Sequence, residues 1–317
     1  SKPLAHVAEA LDEHPAVVLL GPAGMGKSTV LQRLALDAAA ALVRGEGRRL
    51  PLLLTLADDQ TERIGTPLDF VQRRWDQRLQ GSFREMVTVG RVLLLIDGYN
   101  EMSRPDSDAQ GNQRAQSWRR FLQEHFGDMS CESRAVVASR DRADYSAPLG
   151  LPRVDIDPLT EEQVRAYLAQ AGLDGRAPET FMDEVERLRL GDLLRRPLDL
   201  SILVEAFDRP QASLPRNRGL LFYGHAMRLL QAEEAKGRAD WIRLPLQEAA
   251  LAELCFALQA GGESTVIDRD RLIERVPPMV RAADAERGQL VDPSALIGLM
   301  ESARLLLADE RSSLPAP

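Results

Sequence analysis

Ala16-Val-Val-Leu-Leu-Gly-Pro-Ala-Gly-Met-Gly-Lys-Ser-Thr-Val-Leu-Gln-Arg-Leu34 decides how the rest of the chain is read. Ala16–Leu20 is a short, wholly apolar β-type run, as a strand buried on both faces requires. Gly21–Ser28 (GPAGMGKS) matches G-x-x-x-x-G-K-[ST], and Val30, Leu31 and Leu34 then recur at helical spacing. Strand, glycine-rich loop and helix together form an anion trap. The glycines let successive backbone N–H groups converge on phosphate oxygens, and the helix N-terminus adds positive potential. Lys27 is expected to reach the β- and γ-phosphates, with the Ser28 hydroxyl on Mg²⁺.

Working outward, apolar strand signals recur at Leu50–Leu56, Val92–Ile96, Ala135–Ser139 and Val154–Ile156. Helical patterns lie between them, at Ser28–Val43, Phe70–Leu79 and Trp118–Phe126, and a polar loop is expected up to about Gln116. Alternation of this kind predicts a parallel α/β sheet. From Pro158 the pattern is helical only. Thr160 and Gln163 form a capping box, Pro197 must break, kink or start a helix, and Leu220–Leu230, Leu244–Leu258 and Ala295–Leu305 read as helices. Leu306–Glu310 is read as the start of a β-hairpin.

Two further segments carry chemistry. Ile96-Asp97-Gly98-Tyr99-Asn100-Glu101 follows an apolar strand, so Asp97 falls at a strand's C-terminal edge, where a Mg²⁺ ion beside a phosphate loop needs an acidic partner. Glu101 is placed to polarise an attacking water as general base. Ala138-Ser139-Arg140 ends the fourth strand, and Arg140 is a candidate partner for the γ-phosphate.

Composition narrows the function classes. The 317 residues include 44% hydrophobic and 28% charged side chains, an ordinary globular balance with room for two or three domains. No run reaches membrane-spanning length, and no secretory leader is read at the start. Cys131 and Cys255 are too few for a disulfide framework or a zinc cluster, and the four histidines show no metal-ligand spacing. A reducing, cytoplasmic setting is the expectation. The formal net charge of −8 argues against a chain built to coat nucleic acid, although the arginines leave room for a local basic face. Of 40 basic residues only Lys2, Lys27 and Lys236 are lysine, which makes Lys27 conspicuous.

GPAGMGKS, LLLIDGYNE, VVASR, DPLTEEQVRAYL and RRPLDL together resemble the NACHT branch of the STAND-type signalling NTPases. The resemblance implies a five-stranded P-loop sheet of order 2-3-4-1-5, followed by a small helical domain and a winged helix. The corresponding divisions are 1–157, 158–212 and 213–317. It also implies ATP or ADP with Mg²⁺ as ligands. Gly21, Pro22, Ala23, Gly24, Met25, Gly26, Lys27, Ser28 and Thr29 would line the phosphates, and Ser28 and Asp97 would hold the metal. Asp97 would be the Walker B acid, Glu101 the catalytic acid, Arg140 the sensor, and Pro197 would pack on the base. Asn100 departs from the family pattern, which carries aspartate there, so slow hydrolysis is expected. A histidine usual in the winged helix of relatives has no counterpart after His225, and the chain stops near where that stretch would begin. With Ser1 in place of an initiator methionine, a segment of a longer protein is expected, its winged helix incomplete.

The implied function is a nucleotide-controlled switch that self-associates, with sensor and effector domains outside the segment and a place in antiphage defence. The alternatives are a small-molecule kinase, which needs lid arginines the sequence does not place, and a winged-helix transcriptional regulator, which the acidic balance disfavours.

Overall fold

The computed structural model describes residues 7–56, 65–77, 79–99, 109–130, 132–139, 149–171, 173, 178–208, 214–236, 242–260, 274, 293–303 and 305. The chain divides into two compact units, Ser1–Arg165 with Asp192–Leu200, and Ala166–Gly191 with Ser201–Pro317.

The first unit is built on a parallel sheet of β1 (Ala16–Leu20), β2 (Leu50–Thr55), β3 (Val92–Asp97), β4 (Arg134–Ser139) and β5 (Arg153–Asp155), in the order β2-β3-β4-β1-β5. That is the order the resemblance implied. Alternate residues of each strand point to opposite faces, and both faces are covered. Val17, Leu19, Leu93, Leu95, Val136 and Ala138 pack against α1 (Val7–Glu13) and α2 (Lys27–Val43). Val18, Leu20, Leu94, Ile96 and Val137 pack against α3 (Pro67–Asp76), α4 (Phe83–Thr88) and α5 (Ala109–Phe126). Double burial is the physical reason the strands read as continuous apolar runs, each large side chain contributing about 1.5–3 kcal/mol.

The second face carries most of the aromatic mass. Trp118 meets Phe70 and Phe121 edge-on, with centroids 6.1 and 5.5 Å apart, and Trp75 meets Phe83 at 5.6 Å. The Trp75 indole N–H is buried without a hydrogen-bond partner among the described residues. Arg134 begins β4, is buried, and donates from Nε to the Leu11 carbonyl at 2.6 Å, tying the end of α1 to the sheet.

Several elements differ from the sequence reading. α3 begins at Pro67, earlier than the expected Phe70, because Thr66 and Asp69 form a capping box. The Asp69 carboxylate accepts from the Thr66 backbone N–H at 2.7 Å and from its hydroxyl at 2.8 Å. These bonds, the backbone one foremost, hold the Asp69 carboxyl below its ordinary value. The carboxylate half of the cap is therefore complete at neutral pH and weakens when acid protonates Asp69, while the Asp69 N–H bond to Thr66 Oγ1 does not titrate. α4 was not anticipated; Ser82 caps it by accepting from the Glu85 N–H. α5 runs from Ala109, where a polar loop to about Gln116 was expected. Its first turns carry Gln110, Gly111, Asn112 and Gln113, so the apolar stripe that betrays a helix starts only at Ala115. The fifth strand is Arg153–Asp155, one residue earlier than read.

Past the sheet lie α6 (Glu161–Ala171), α7 (Pro178–Arg187), α8 (Gly191–Leu194), α9 (Pro197–Phe207), α10 (Arg218–Glu234), α11 (Leu244–Ala260) and α12 (Pro293–Ser302). The capping box ahead of α6 is formed: Thr160 N–H donates to Gln163 Oε1 at 2.9 Å, and Gln163 N–H to Thr160 Oγ1 at 3.2 Å. Of the three options for Pro197, it starts a helix. Within the second unit Phe181 and Phe207 stack edge-on at 5.2 Å, and the buried Glu233 carboxylate accepts from Ser302 Oγ at 2.7 Å. The hairpin read at Leu306–Glu310 lies outside the described residues.

Candidate functional site

β1 ends at Leu20, and the loop that follows is shaped by two glycines in the left-handed region, Gly24 (φ 80°) and Gly26 (φ 84°). An L side chain at either position costs roughly 1–2 kcal/mol in backbone strain alone. Gly26 is the residue before α2, and no side chain caps that helix. Gly26 has no side chain to cap the 17-residue helix, so the N-terminal end of α2 is presented to the loop without an N-cap oxygen. Met25 is buried and pins the loop from beneath, while Pro22, Ala23, Ser28 and Thr29 are exposed along its mouth and Gly21 is buried at its base.

Lys27 lies across the loop. Its ammonium donates to the carbonyls of Gly21 at 2.7 Å and Pro22 at 2.9 Å. The positive charge is thereby held over the turn that leads into α2.

Sheet register brings the second element to the same edge. Leu20 pairs with Ser139 across β1–β4, and Ile96 pairs with Val137 across β3–β4, so Leu20, Ser139 and Asp97 close three adjacent strands at their C-terminal ends. With strands about 4.8 Å apart, the backbone of Asp97 stands roughly 10 Å from that of Leu20, with β4 between. Asp97 is half-buried. Gly98 follows with φ 81°, and Tyr99 then turns back into the aromatic face of the core. Burial pushes the Tyr99 phenol well above its ordinary range, against a smaller opposing pull from Arg119, and among the described residues its hydroxyl has no hydrogen-bond partner.

The start of α9 also reaches the loop. Leu198 N–H donates to the Gly24 carbonyl at 3.2 Å, and Pro197 Cγ would lie 3.9 Å from a Cβ placed at Gly26. A Cβ placed at Gly24 would stand 3.1 Å from Leu198 Cβ and 3.2 Å from its Cδ2. Gly24 is thus required twice, for its φ and for the close approach of Leu198. Gly24→Ala is expected to destabilise the chain by roughly 2 kcal/mol, from strain plus displaced packing, read as a lower midpoint in thermal or urea unfolding. Leu198 and Tyr99 escaped the sequence reading. The RRPLDL run holds Leu198 without any mark distinguishing it from core leucines.

The structure thus gathers Gly21–Thr29, Asp97 and Pro197 within one unit. Asn100, Glu101 and Arg140 lie outside the described residues. Among the described residues no group of His, Cys, Asp and Glu forms a metal cluster of its own, and no helix is long and apolar enough to cross a membrane.

Residues 15–172 match the family model for the NACHT domain. The chain carries a NACHT-type P-loop NTPase domain. The match takes in the phosphate loop, Asp97 and all five strands of the sheet. No curated protein matches the sequence. Among solved structures, the chain is similar to the Aeropyrum pernix Orc1 protein in complex with DNA, at 15% identity over 92% of this chain and 77% of that one, TM-score 0.41. It is similar also to AMPPCP-bound DnaA from Aquifex aeolicus, at 14% identity over 94% and 86%, TM-score 0.41. A chain of the E. coli MS115-1 HORMA:CdnC:Trip13 complex matches at 19% identity over 66% and 74%, TM-score 0.41. The identification rests on the NACHT match and on the loop and strand order, and it makes the domain a nucleotide-binding one.

Proposed function

We propose that this NACHT domain is an ATP/ADP switch with slow ATP hydrolysis. The observation that carries the reading is the loop itself: an uncapped helix N-terminus, two left-handed glycines and Lys27 converge at the sheet edge that also holds Asp97. These residues fit a Mg²⁺-nucleotide. Lys27 and the backbone N–H groups of Gly24–Ser28 would take the phosphates, and the Ser28 hydroxyl and Asp97 carboxylate would hold the ion, which supplies charge neutralisation at the phosphoryl oxygens. Pro197, at the loop, is assigned to the base, with its apolar ring as the packing surface.

Two roles come from the resemblance. Glu101 orients the attacking water and accepts its proton, and Arg140 senses the γ-phosphate. Asn100 can hydrogen-bond but adds no charge, so turnover is slow. Glu101→Gln is expected to abolish turnover while leaving ATP affinity intact, and Asn100→Asp to hold or raise the rate, both read by phosphate release and calorimetry on the same preparations. Undiminished hydrolysis in Glu101→Gln removes that residue from the mechanism.

In this reading residues 158–212 are a small helical domain and residues 213–317 belong to a winged helix, and the nucleotide biases their arrangement. The ATP form self-associates, in a cytoplasmic protein that carries sensor and effector domains beside the switch and acts in antiphage defence. The test is the oligomeric state by light scattering with ATP, with ADP and without nucleotide. Indistinguishable masses in all three rule out self-association driven by this domain.

A further inference from the structure

At the opposite end of the sheet from the phosphate loop, the chain places a second charged feature that nucleotide chemistry leaves unused. The N-terminal ends of β2 and β3 and the C-terminal turn of α2 enclose an open cleft of about 350 Å³. Its floor is apolar, made by Ala38, Ala41 and Leu93, and its rim is Arg48, Arg49, Gly47 and Glu46. Leu50 pairs with Val92, so Arg49 and Arg91 precede neighbouring strands at the same level, and the Leu50 N–H donates to the Arg91 carbonyl at 2.7 Å. Arg91 stands two residues before Leu93, hence on the α2 side by strand alternation.

The local electrostatics oppose those of the whole protein. Arg48 and Arg91 are exposed, and Arg49 is half-buried with Nε on the Glu132 carbonyl at 2.6 Å. The Glu46 carboxylate, on the rim, is bonded to Arg44 at 2.7 Å, and the exposed Glu132 stands beside Gly90, next to Arg91. A basic edge on a chain of net charge −8 favours a short anionic partner over a long one. A local patch acts within a Debye length of ~8 Å at physiological salt, whereas an extended polyanion would also meet the acidic remainder. The floor adds a second requirement. Ala38, Ala41 and Leu93 offer an apolar seat but no aromatic ring on which a nucleobase would stack.

We propose that this cleft is a docking site for an acidic protein segment bearing an aliphatic residue. The aliphatic side chain rests on Ala38, Ala41 and Leu93 while flanking carboxylates pair with Arg48 and Arg91. Arg49, held by its Nε on the Glu132 carbonyl, stiffens the same rim. The cleft is lined from the sheet edge opposite the phosphate loop, so docking there leaves the nucleotide site accessible.

Fluorescence anisotropy on the 317-residue chain tests this with a labelled Glu-Glu-Leu-Glu-Glu peptide, the same peptide with serine for leucine, and a labelled thymidine oligonucleotide. The leucine peptide should bind, the serine peptide more weakly, and binding should fall as salt is raised. Arg48→Glu combined with Arg91→Glu should weaken the leucine peptide at least ~5-fold, since two exposed charges are reversed. Adenine-nucleotide affinity should be unchanged in that variant, which certifies its fold. Equal peptide binding by the variant, equal binding of the serine peptide, or no peptide binding at millimolar concentration overturns the proposal. Oligonucleotide binding tighter than the leucine peptide and lost in the variant would make the edge a nucleic-acid surface and overturns it too.

Discussion

Lys27→Ala is expected to weaken Mg²⁺-ATP binding to this domain ten- to a hundredfold. The lysine is the single charged side chain that the loop itself carries, and its ammonium is already fixed over the turn by the Gly21 and Pro22 carbonyls. A charge-assisted hydrogen bond contributes ~1.5–3 kcal/mol, and each 1.4 kcal/mol is a tenfold change in affinity. Lys27→Arg should not restore binding. The site takes a compact ammonium held by two carbonyls five and six residues away in sequence, and a planar guanidinium cannot make the same pair of contacts from there. Folding should survive both changes, because Lys27 is outside the two packed faces of the sheet. Calorimetry gives the affinities, and unfolding midpoints without nucleotide separate lost binding from lost structure. Unchanged ATP affinity in Lys27→Ala would falsify the phosphate-site assignment.

The sheet was legible because its three central strands, β3, β4 and β1, obey one rule. Val17–Leu20, Leu93–Ile96 and Ala135–Ala138 are covered on both faces, so they carry unbroken apolar runs and announce themselves. The loop was legible because glycines at positions that take positive φ and a lysine at the helix start form a fixed spacing. What escaped was of two kinds. Helices whose first turn is set by caps, such as α3 at Thr66 and α4 at Ser82, start where one side chain bonds one backbone group, a signal that no periodicity reports. The approach of Leu198 to Gly24 joins positions far apart in the chain, and neither residue type foretells it. The acidic net charge, read as arguing against a chain built to coat nucleic acid, averages over a surface on which Arg48, Arg49 and Arg91 precede neighbouring strands, a local basic face of the kind the arginine count left room for.

The second large effect is expected at Tyr99, and its two substitutions should move in different directions. Tyr99→Ala removes a ring that is 1% exposed and packed among the aromatic residues of α3 and α5, so it should cost about 3–5 kcal/mol of stability. The same ring holds the turn that begins at Gly98 (φ 81°) and therefore the end of β3, where Asp97 stands. Loss of the ring frees that strand end, so Mg²⁺-dependent nucleotide binding should weaken along with folding. Tyr99→Phe keeps the ring and deletes a hydroxyl that is buried with no partner among the described residues. Burying an unsatisfied hydroxyl costs ~1–3 kcal/mol, so its removal should leave stability unchanged or raised. Urea unfolding of both variants measures the two energies, and calorimetry with Mg²⁺-ATP on Tyr99→Phe checks the site. If Tyr99→Phe destabilises the chain by more than ~1 kcal/mol, the phenol is satisfied by a group outside the described residues. Tyr99 would then hold the Asp97 turn through that hydrogen bond as well as through its ring.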